Sequence, residues 1–321
     1  MRAQSQQSKI VIVALAANLG IACAKFAAAA ITGSSAILSE GIHSLVDTTN
    51  EVLLLYGVRR AAKPADKSHP FGYGRELYFW SFVVSLLVLA LGAGVSFYEG
   101  VSHLLDPHAI ESPLVNYGVI AVSFLFEGIS FLFTLRRFRA TKGDQGYFEA
   151  FRSSKDPSTF TVLFEDFAAL VGLAIALAGI TGAQLLGLPQ LDGVASLGIG
   201  VVLAIASLLL ARETKALLIG EPAHRGIRES ILRIAGADYA VRHANGVITT
   251  QLGPQQIVAA LSAEFEDELK TSDIEACVNR IEDAIKQAHP DIAVLFVKPQ
   301  TSETWAQRSE SVGRRRGDRA A

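Results

Sequence analysis

Long apolar runs without a single charged side chain constrain this sequence more than any other feature. Leu77 to Tyr98, Phe167 to Leu191 and Gly193 to Ala211 contain no Asp, Glu, Lys or Arg. A helix needs roughly 20 mostly apolar residues to cross the hydrocarbon core of a bilayer. The three runs therefore predict three membrane-spanning helices, with the turn between the last two at residues 187–193, which include Gly and Pro.

Three further segments are as long and as apolar, but each contains ionisable residues. They are Ile10 to Ile31, Ile37 to Val58 and Leu114 to Leu135. Half of the 321 residues are hydrophobic and the mean hydropathy is +0.34, which is too apolar for an ordinary soluble enzyme. We therefore predict a membrane all-α domain of six transmembrane helices over residues 1–220.

The basic residues are distributed unevenly among the predicted loops. Five follow the second segment and six follow the fourth, whereas the other three connections have none. They are Arg59, Arg60, Lys63, Lys67 and Arg75, and then Arg136, Arg137, Arg139, Lys142, Arg152 and Lys155. Because cytoplasmic loops carry the excess of Lys and Arg, both termini are predicted to be cytoplasmic.

Two further features bear on location and partners. The first apolar segment is too long for a cleavable signal, and we interpret it as a signal anchor. We expect the bacterial plasma membrane, because the sequence shows no Arg-rich, Ser-rich organelle leader. The net charge of −2 gives no basic excess, so we expect no nucleic-acid partner.

The composition changes after Gly220, and residues 221–300 predict a small soluble domain. The predicted order is helix, strand, strand, helix, strand, which favours an α+β fold with an antiparallel sheet. The elements are Arg225 to Ile234, Val247 to Leu252, Ile257 to Phe265, Thr271 to Ala288 and Ile292 to Val297. Residues 301–321, which include three consecutive arginines, predict a disordered tail.

The second predicted span carries a polar stripe. At about 100° per residue, Glu40, His43, Asp47 and Asn50 share one face of the helix. Each ionisable residue within a span costs free energy, so such residues mark a functional site or a protein-facing surface. His43 and Asp47 are one turn apart and can close on one ion, for which imidazole and carboxylate suit Zn²⁺ and tolerate Mn²⁺, Fe²⁺ or Co²⁺. The alternative is a hydrogen-bonded pair that joins two helices.

The fifth predicted span contains two adjacent carboxylates. The segment Phe160 to Phe164 already has an apolar helical pattern, so Asp166 lies inside the helix and predicts a functional carboxylate. The alternative is that Glu165 and Asp166 favour the positive end of the helix dipole. Glu165 points roughly 100° away from Asp166, so we expect that the two do not reach one ion along the same face. For Lys25 and Glu127 a structural role between helices is an equal alternative.

Two motifs carry a resemblance to a known family. The segment TGSSAILSEGIHSLVDTTNE and, after the second span, PADKSHPFGYGRE resemble the cation diffusion facilitator family of divalent-metal exporters. The resemblance implies a homodimer in the membrane with a cytoplasmic, ferredoxin-like C-terminal domain. It also implies exchange of Zn²⁺ or another divalent cation for protons, with no permanent cofactor.

The resemblance also implies a transport site. His43 and Asp47 match the family's ligands from the second span, and Asp166 matches the Asp of the fifth. Val162 stands where the family has a His, so Glu40, Glu165, Asn50 or water must complete the site. The Glu165-Asp166 pair, with no His before it, resembles the zinc-transporter-nine-like subgroup of the family. Replacement of a His by carboxylate favours harder ions, so Mn²⁺ and Fe²⁺ remain open.

The first basic loop matches part of a second metal site found in some relatives. Asp66 and His69 correspond to two of its ligands, but Tyr73 stands where another His would be. The alternative is a solvated loop in which His69 caps the next helix.

Together these features predict a proton-coupled exporter of a divalent cation and not an enzyme, since no motif of a metalloprotease or serine hydrolase is present. His43 is the expected proton carrier, because an unperturbed imidazole titrates near pH 6.5. The alternative function is a non-transporting membrane partner that retains the transporter fold with an incomplete metal site.

Overall fold

Long helices dominate the first two thirds of the chain and a small sheet domain follows them. The computed structural model describes residues 2–142, 146, 150 and 154–308. The long helices are α1 (Arg2–Thr32), α2 (Ser35–Ala61), α3 (Arg75–Leu105), α4 (Pro113–Lys142), α5 (Pro157–Leu186) and α6 (Gln190–Ile219). The later elements are α7 (Arg225–Gly236), β1 (Val241–Gly253), β2 (Gln256–Phe265), α8 (Thr271–Ala288) and β3 (Ile292–Pro299).

Four of the described helices, α3 to α6, are long and apolar enough to cross a membrane. In α1 the described apolar stretch is shorter, Asn18–Thr32. α2 has 27 residues, but its three carboxylates and the two arginines in its last turn lower its hydropathy. The chain is thus a mostly helical membrane protein, whereas the predicted count of six spans is not confirmed.

The helix ends follow local sequence signals. Ser34 caps α2 by accepting a hydrogen bond from the Ile37 backbone N–H, and Asp156 caps α5 just before its first residue, Pro157. α5 ends at Leu186 and is capped by Gly187, whose φ of 64° is the left-handed conformation that glycine adopts most easily. The predicted turn was too long: α6 begins at Gln190, because Pro189 can precede a helix without losing an internal hydrogen bond.

The chain divides into two compact units, Met1–Ala62 with Glu76–Lys215 and Lys63–Arg75 with Ala216–Ala321. Within the first unit, α2 packs against α1, α3 and α5, while α4 packs against α1 and α5. Helices α1, α2, α5 and α4 therefore form a closed ring of neighbours. The third helix contains a π-helical segment, Val88–Ala93, against which α2 also packs.

In the second unit, the predicted order of helices and strands is confirmed but the predicted antiparallel sheet is wrong in part. β1 and β2 pair antiparallel across a two-residue turn, whereas β2 and β3 pair parallel. The reason is that α8 carries the chain back to the end at which β2 began, so β3 must run in the same direction.

The predicted disordered tail also needs correction. Residues 302–308 are helical, and Ser302 anchors them through hydrogen bonds from its backbone N–H and hydroxyl to Glu264. Residues 309–321, like Arg152 of the second basic loop, lie outside the described residues.

The first basic loop, Lys63–Arg75, belongs to the second unit. A side chain at Gly74 would collide with the backbone carbonyl of Leu252, and one at Gly253 would press on the backbone of Gly74. Two glycines thus let the loop cross the β1–β2 hairpin at backbone contact distance.

Candidate metal-binding site

A cavity of about 330 Å³ lies between α1, α2, α4 and α5, inside the ring of four helices. Its polar lining consists of Asn18, Ser44, Asp47, Glu51, Glu127, Ser130, Glu165 and Asp166. Its apolar lining consists of Ile21, Phe126, Ile129, Phe133 and Val162. Five carboxylates therefore face one space with largely apolar walls. If all five were ionised they would repel one another strongly, so the cavity is suited to hold protons or a cation.

The His43-Asp47 pair lies at the edge of this cavity. The His43 ring is buried, and its Nδ1 lies 3.3 Å from Asp47 Oδ1, a contact without hydrogen-bond geometry. Among the described residues, neither ring nitrogen of His43 has a hydrogen-bond partner. The spacing of one helical turn brings the two side chains together as expected, and it leaves both with unused coordination capacity.

Glu165 and Asp166 both line the cavity, and whether the two reach one ion stays a prediction. Asn50 Nδ2 donates to Glu165 Oε1 at 2.8 Å, and Ser130 Oγ donates to Asp166 Oδ2 at 2.9 Å. Glu165 thus faces α2 and Asp166 faces α4. The two carboxylates share the cavity because the cavity extends along α5 from the side that faces α2 to the side that faces α4.

Sequence reasoning did not assign several polar residues to the site, among them Glu51 and Ser130, which both line the cavity. Glu51 accepts a 2.8 Å hydrogen bond from Asn18 Nδ2, and Ser130 supports Asp166. The signal for Glu51 was present, since it lies four residues after Asp47, one turn further along the same helix. A serine such as Ser130 gives no comparable signal. Glu127, for which the sequence left the role open, also lines the cavity.

Glu40, proposed above as a substitute ligand, is engaged elsewhere. Lys25 Nζ donates to Glu40 Oε2 at 3.0 Å and to Ser44 Oγ at 2.7 Å, and both charged groups are fully buried. A side chain at Gly172 would collide with Glu40 Oε1, so this glycine of α5 leaves the space that Glu40 occupies. Glu40 therefore balances the charge of Lys25 between α1 and α2, and it does not line the cavity.

The predicted ligands are not gathered into a metal site as they stand. Among the residues that the structure describes, no three His, Cys, Asp or Glu side chains are arranged to hold one metal ion. Asp47 and Asp166 line the same cavity, and His43 contacts Asp47. For the three to share one ion, their side chains would have to move toward one another across the cavity. The set His43, Asp47 and Asp166 remains a prediction.

The loop residues Asp66 and His69 form a hydrogen-bonded turn. Asp66 accepts hydrogen bonds from the Ser68 hydroxyl and backbone, from the His69 backbone and from the Tyr73 hydroxyl. These bonds, the Ser68 hydroxyl foremost, hold the pKa of Asp66 well below its usual range. The His69 ring stacks on Tyr73 with its centre 4.1 Å away. Tyr73, which stands at the position of the missing His ligand, thus donates a hydrogen bond to Asp66. Metal binding at this loop stays a prediction.

Comparison with known proteins agrees with this arrangement. Residues 11–219, which include the whole cavity, match the family model of the cation efflux transmembrane domain. The chain belongs to the cation diffusion facilitator family. It is 33% identical over 282 residues to the mitochondrial proton-coupled zinc antiporter SLC30A9 of Xenopus laevis, covering 85% of this chain and 50% of that protein. It is 33% identical over 266 residues to the human protein of the same name, covering 82% and 47%.

The chain is also similar to a bacterial member of the family. The cation-efflux pump FieF of Cronobacter sakazakii is 29% identical over 265 residues, with 83% of each chain covered. The chain therefore spans about half the length of the SLC30A9 proteins and most of the length of FieF. Within the family, these relatives support the predicted zinc-transporter-nine-like subgroup.

Proposed function

We propose that this protein exports a divalent metal cation, Zn²⁺ foremost, from the cytoplasm in exchange for protons. The observation that carries the proposal is the set of five carboxylates around one cavity inside the helix bundle. A divalent cation or a set of protons relieves the repulsion among them, and the two compete for the same oxygens. Such competition is the thermodynamic requirement for antiport. The names of the relatives, zinc antiporter and cation-efflux pump, support the same direction.

In this mechanism, Asp47 and Asp166 bind the ion from opposite sides of the cavity and His43 adds a nitrogen ligand. Carboxylates and imidazole bind a metal only when they are deprotonated, so loading the ion releases protons to the cytoplasmic side. The helix bundle then rearranges, and protons from outside displace the ion. His43 carries one of these protons, since an imidazole titrates closest to neutral pH.

We also propose a topology, an oligomeric state and a location for the protein, in addition to the four apolar helices that are long enough to cross a membrane. α1 and α2 complete six spans, both termini are cytoplasmic, and the C-terminal domain joins two copies into a homodimer. The buried Glu40 pairs with Lys25 and the other carboxylates of α2 face the cavity, which supports placing this charged helix inside a membrane bundle. The location we propose is a bacterial plasma membrane.

Val162 offers a way to test the choice of metal. It lines the cavity one turn before Asp166, at the position of the family's His. We expect transport assays in proteoliposomes across Zn²⁺, Mn²⁺, Fe²⁺, Co²⁺ and Cd²⁺ to show Zn²⁺ transport in the wild type. Val162→His adds a nitrogen ligand and is expected to raise the preference for Zn²⁺ over Mn²⁺ by roughly 10-fold or more. Transport of none of the five cations would contradict the proposal.

One observation favours a second function. Because no three donor side chains are gathered among the described residues, the chain is compatible with a membrane partner that keeps the fold without transport. Metal titration of the purified protein separates the two. Binding that is lost in His43→Ala supports transport, and absence of binding supports the partner.

A further inference from the structure

A second cavity, of about 510 Å³, opens at the end of the bundle where α2 begins and α3 ends. It is distinct from the carboxylate cavity, with which it shares no residue. Its ionisable lining residues are Glu99, His103, Asp106 and His108, and no Lys or Arg lines it. The proposed topology places this end outside the cytoplasm.

His103 is the buried member of this group. It is only 6% exposed, yet among the described residues its Nε2 has no hydrogen-bond partner. Asp192 Oδ2 lies 3.9 Å from this nitrogen, beyond hydrogen-bond distance. Asp192 is already occupied, because it accepts hydrogen bonds from the Ser34 hydroxyl and from the hydroxyl and backbone of Ser35. An imidazole nitrogen is thus left buried at a cavity wall without a partner, which is costly unless a ligand uses it.

His108 and Asp106 lie at the mouth of the same cavity. Both side chains are exposed, and His108 Nε2 lies 3.5 Å from Asp106 Oδ2. The centres of the His103 and His108 rings are 6.0 Å apart. Two imidazoles that share one Zn²⁺ at about 2.0–2.1 Å per nitrogen have ring centres about 5–6 Å apart. The two rings are therefore nearly at the separation that a shared ion requires.

The charge around the mouth favours a cation. The connections 99–113 and 180–192 contain no Lys or Arg, while Glu99 and Asp106 supply carboxylates. A cleft lined by one sign of charge concentrates ions of the opposite sign. His103 and His108 supply the nitrogen donors that distinguish a transition-metal site from one for Ca²⁺ or Mg²⁺.

We infer that His103 and His108, with Asp106 and Glu99, form an outer binding site for a transition-metal cation such as Zn²⁺, separate from the carboxylate cavity. The site closes around the ion by movement of the exposed Asp106 and His108, since among the described residues no three donors are gathered beforehand. Such a site binds weakly, as an ion that must leave the protein requires. In the proposed export cycle, this site would hold the ion as it leaves the protein. That role rests on the proposed function, whereas the binding of metal at the site does not.

The test measures metal binding with the main cavity disabled. In purified full-length Asp47→Asn/Asp166→Asn protein, we expect a residual Zn²⁺-binding component that His108→Ala weakens at least tenfold. His103→Gln is expected to have the same effect, and His243→Ala, which removes an exposed histidine of the second unit, is expected to have none. Zn²⁺ is also expected to protect the exposed His108, but not the exposed His243, from diethyl pyrocarbonate, as measured by mass spectrometry.

Absence of residual binding, or equal binding in His108→Ala, would overturn the inference. Loss of binding in His108→Ala together with full binding in His103→Gln would also overturn it, because the buried imidazole would then not be a ligand. If His103→Gln fails to fold, absence of Zn²⁺ protection at His108 in the protein that retains His103 overturns it equally. Zinc transport without His108-dependent binding removes only the outer site. Such binding without zinc transport removes only the transport proposal.

Discussion

Asp47→Asn is expected to abolish metal transport while leaving the protein folded. The change keeps the shape of the side chain but removes the negative charge of Asp47, which lines the cavity and contacts His43. Loss of a group that merely orients a metal ligand costs about 10–100-fold in metal affinity or activity, and a direct ligand costs at least as much. We expect a loss of roughly 100-fold or more in Zn²⁺ uptake into proteoliposomes, measured with a trapped zinc indicator.

Asp166→Asn is expected to match Asp47→Asn, because the two carboxylates bind the ion from different helices. Glu213→Gln serves as the control, since this carboxylate of α6 does not line the cavity. Its transport rate is expected to equal that of the wild type. Unaltered transport by either aspartate variant, with the protein correctly reconstituted, would remove that residue from the site.

Lys25→Met is expected to cause the largest loss of stability of any single change in the helix bundle. It leaves the carboxylate of Glu40 fully buried without its 3.0 Å partner. Breaking a buried ion pair by removing one member costs about 3–5 kcal/mol, because the remaining charge is uncompensated. The thermal midpoint of unfolding in detergent measures the loss.

The double variant Lys25→Met/Glu40→Gln is the matched control. It removes both charges, so most of the lost stability is expected to return, since replacing both members of a buried pair is often close to neutral. Equal destabilisation in the single and double variants would show that Lys25 acts through packing alone. Recovery of stability together with metal transport would also confirm that Glu40 is not a ligand.

The fold was predictable where one periodic pattern determines an element. The uncharged runs predicted α3, α5 and α6, and the alternation of strand and helix signals predicted the order of elements in the second unit. The direction of β3 was not predictable from its own residues, because it depends on the path of α8 between two strands. The order in residues 302–308 depends on Ser302 and its long-range acceptor Glu264, which no local pattern reveals.

The site was predictable along one helix but not between helices. The spacing of His43 and Asp47 fixes their contact, because both belong to the same helical face. The pairing of Glu40 with Lys25 and the support of Asp166 by Ser130 depend on how α1, α4 and α5 pack around α2. For the same reason, the angle between Glu165 and Asp166 on one helix did not reveal that the cavity reaches both.

Proton release on metal binding tests the central claim most directly. Calorimetric titration of the purified protein with Zn²⁺, in two buffers of different ionisation enthalpy, gives the number of protons released per ion bound. We predict at least one proton released for each ion in the tight-binding component, with that component lost in Asp47→Asn/Asp166→Asn. Tight Zn²⁺ binding without proton release, or tight binding that survives in the double variant, would contradict exchange of metal for protons at these carboxylates.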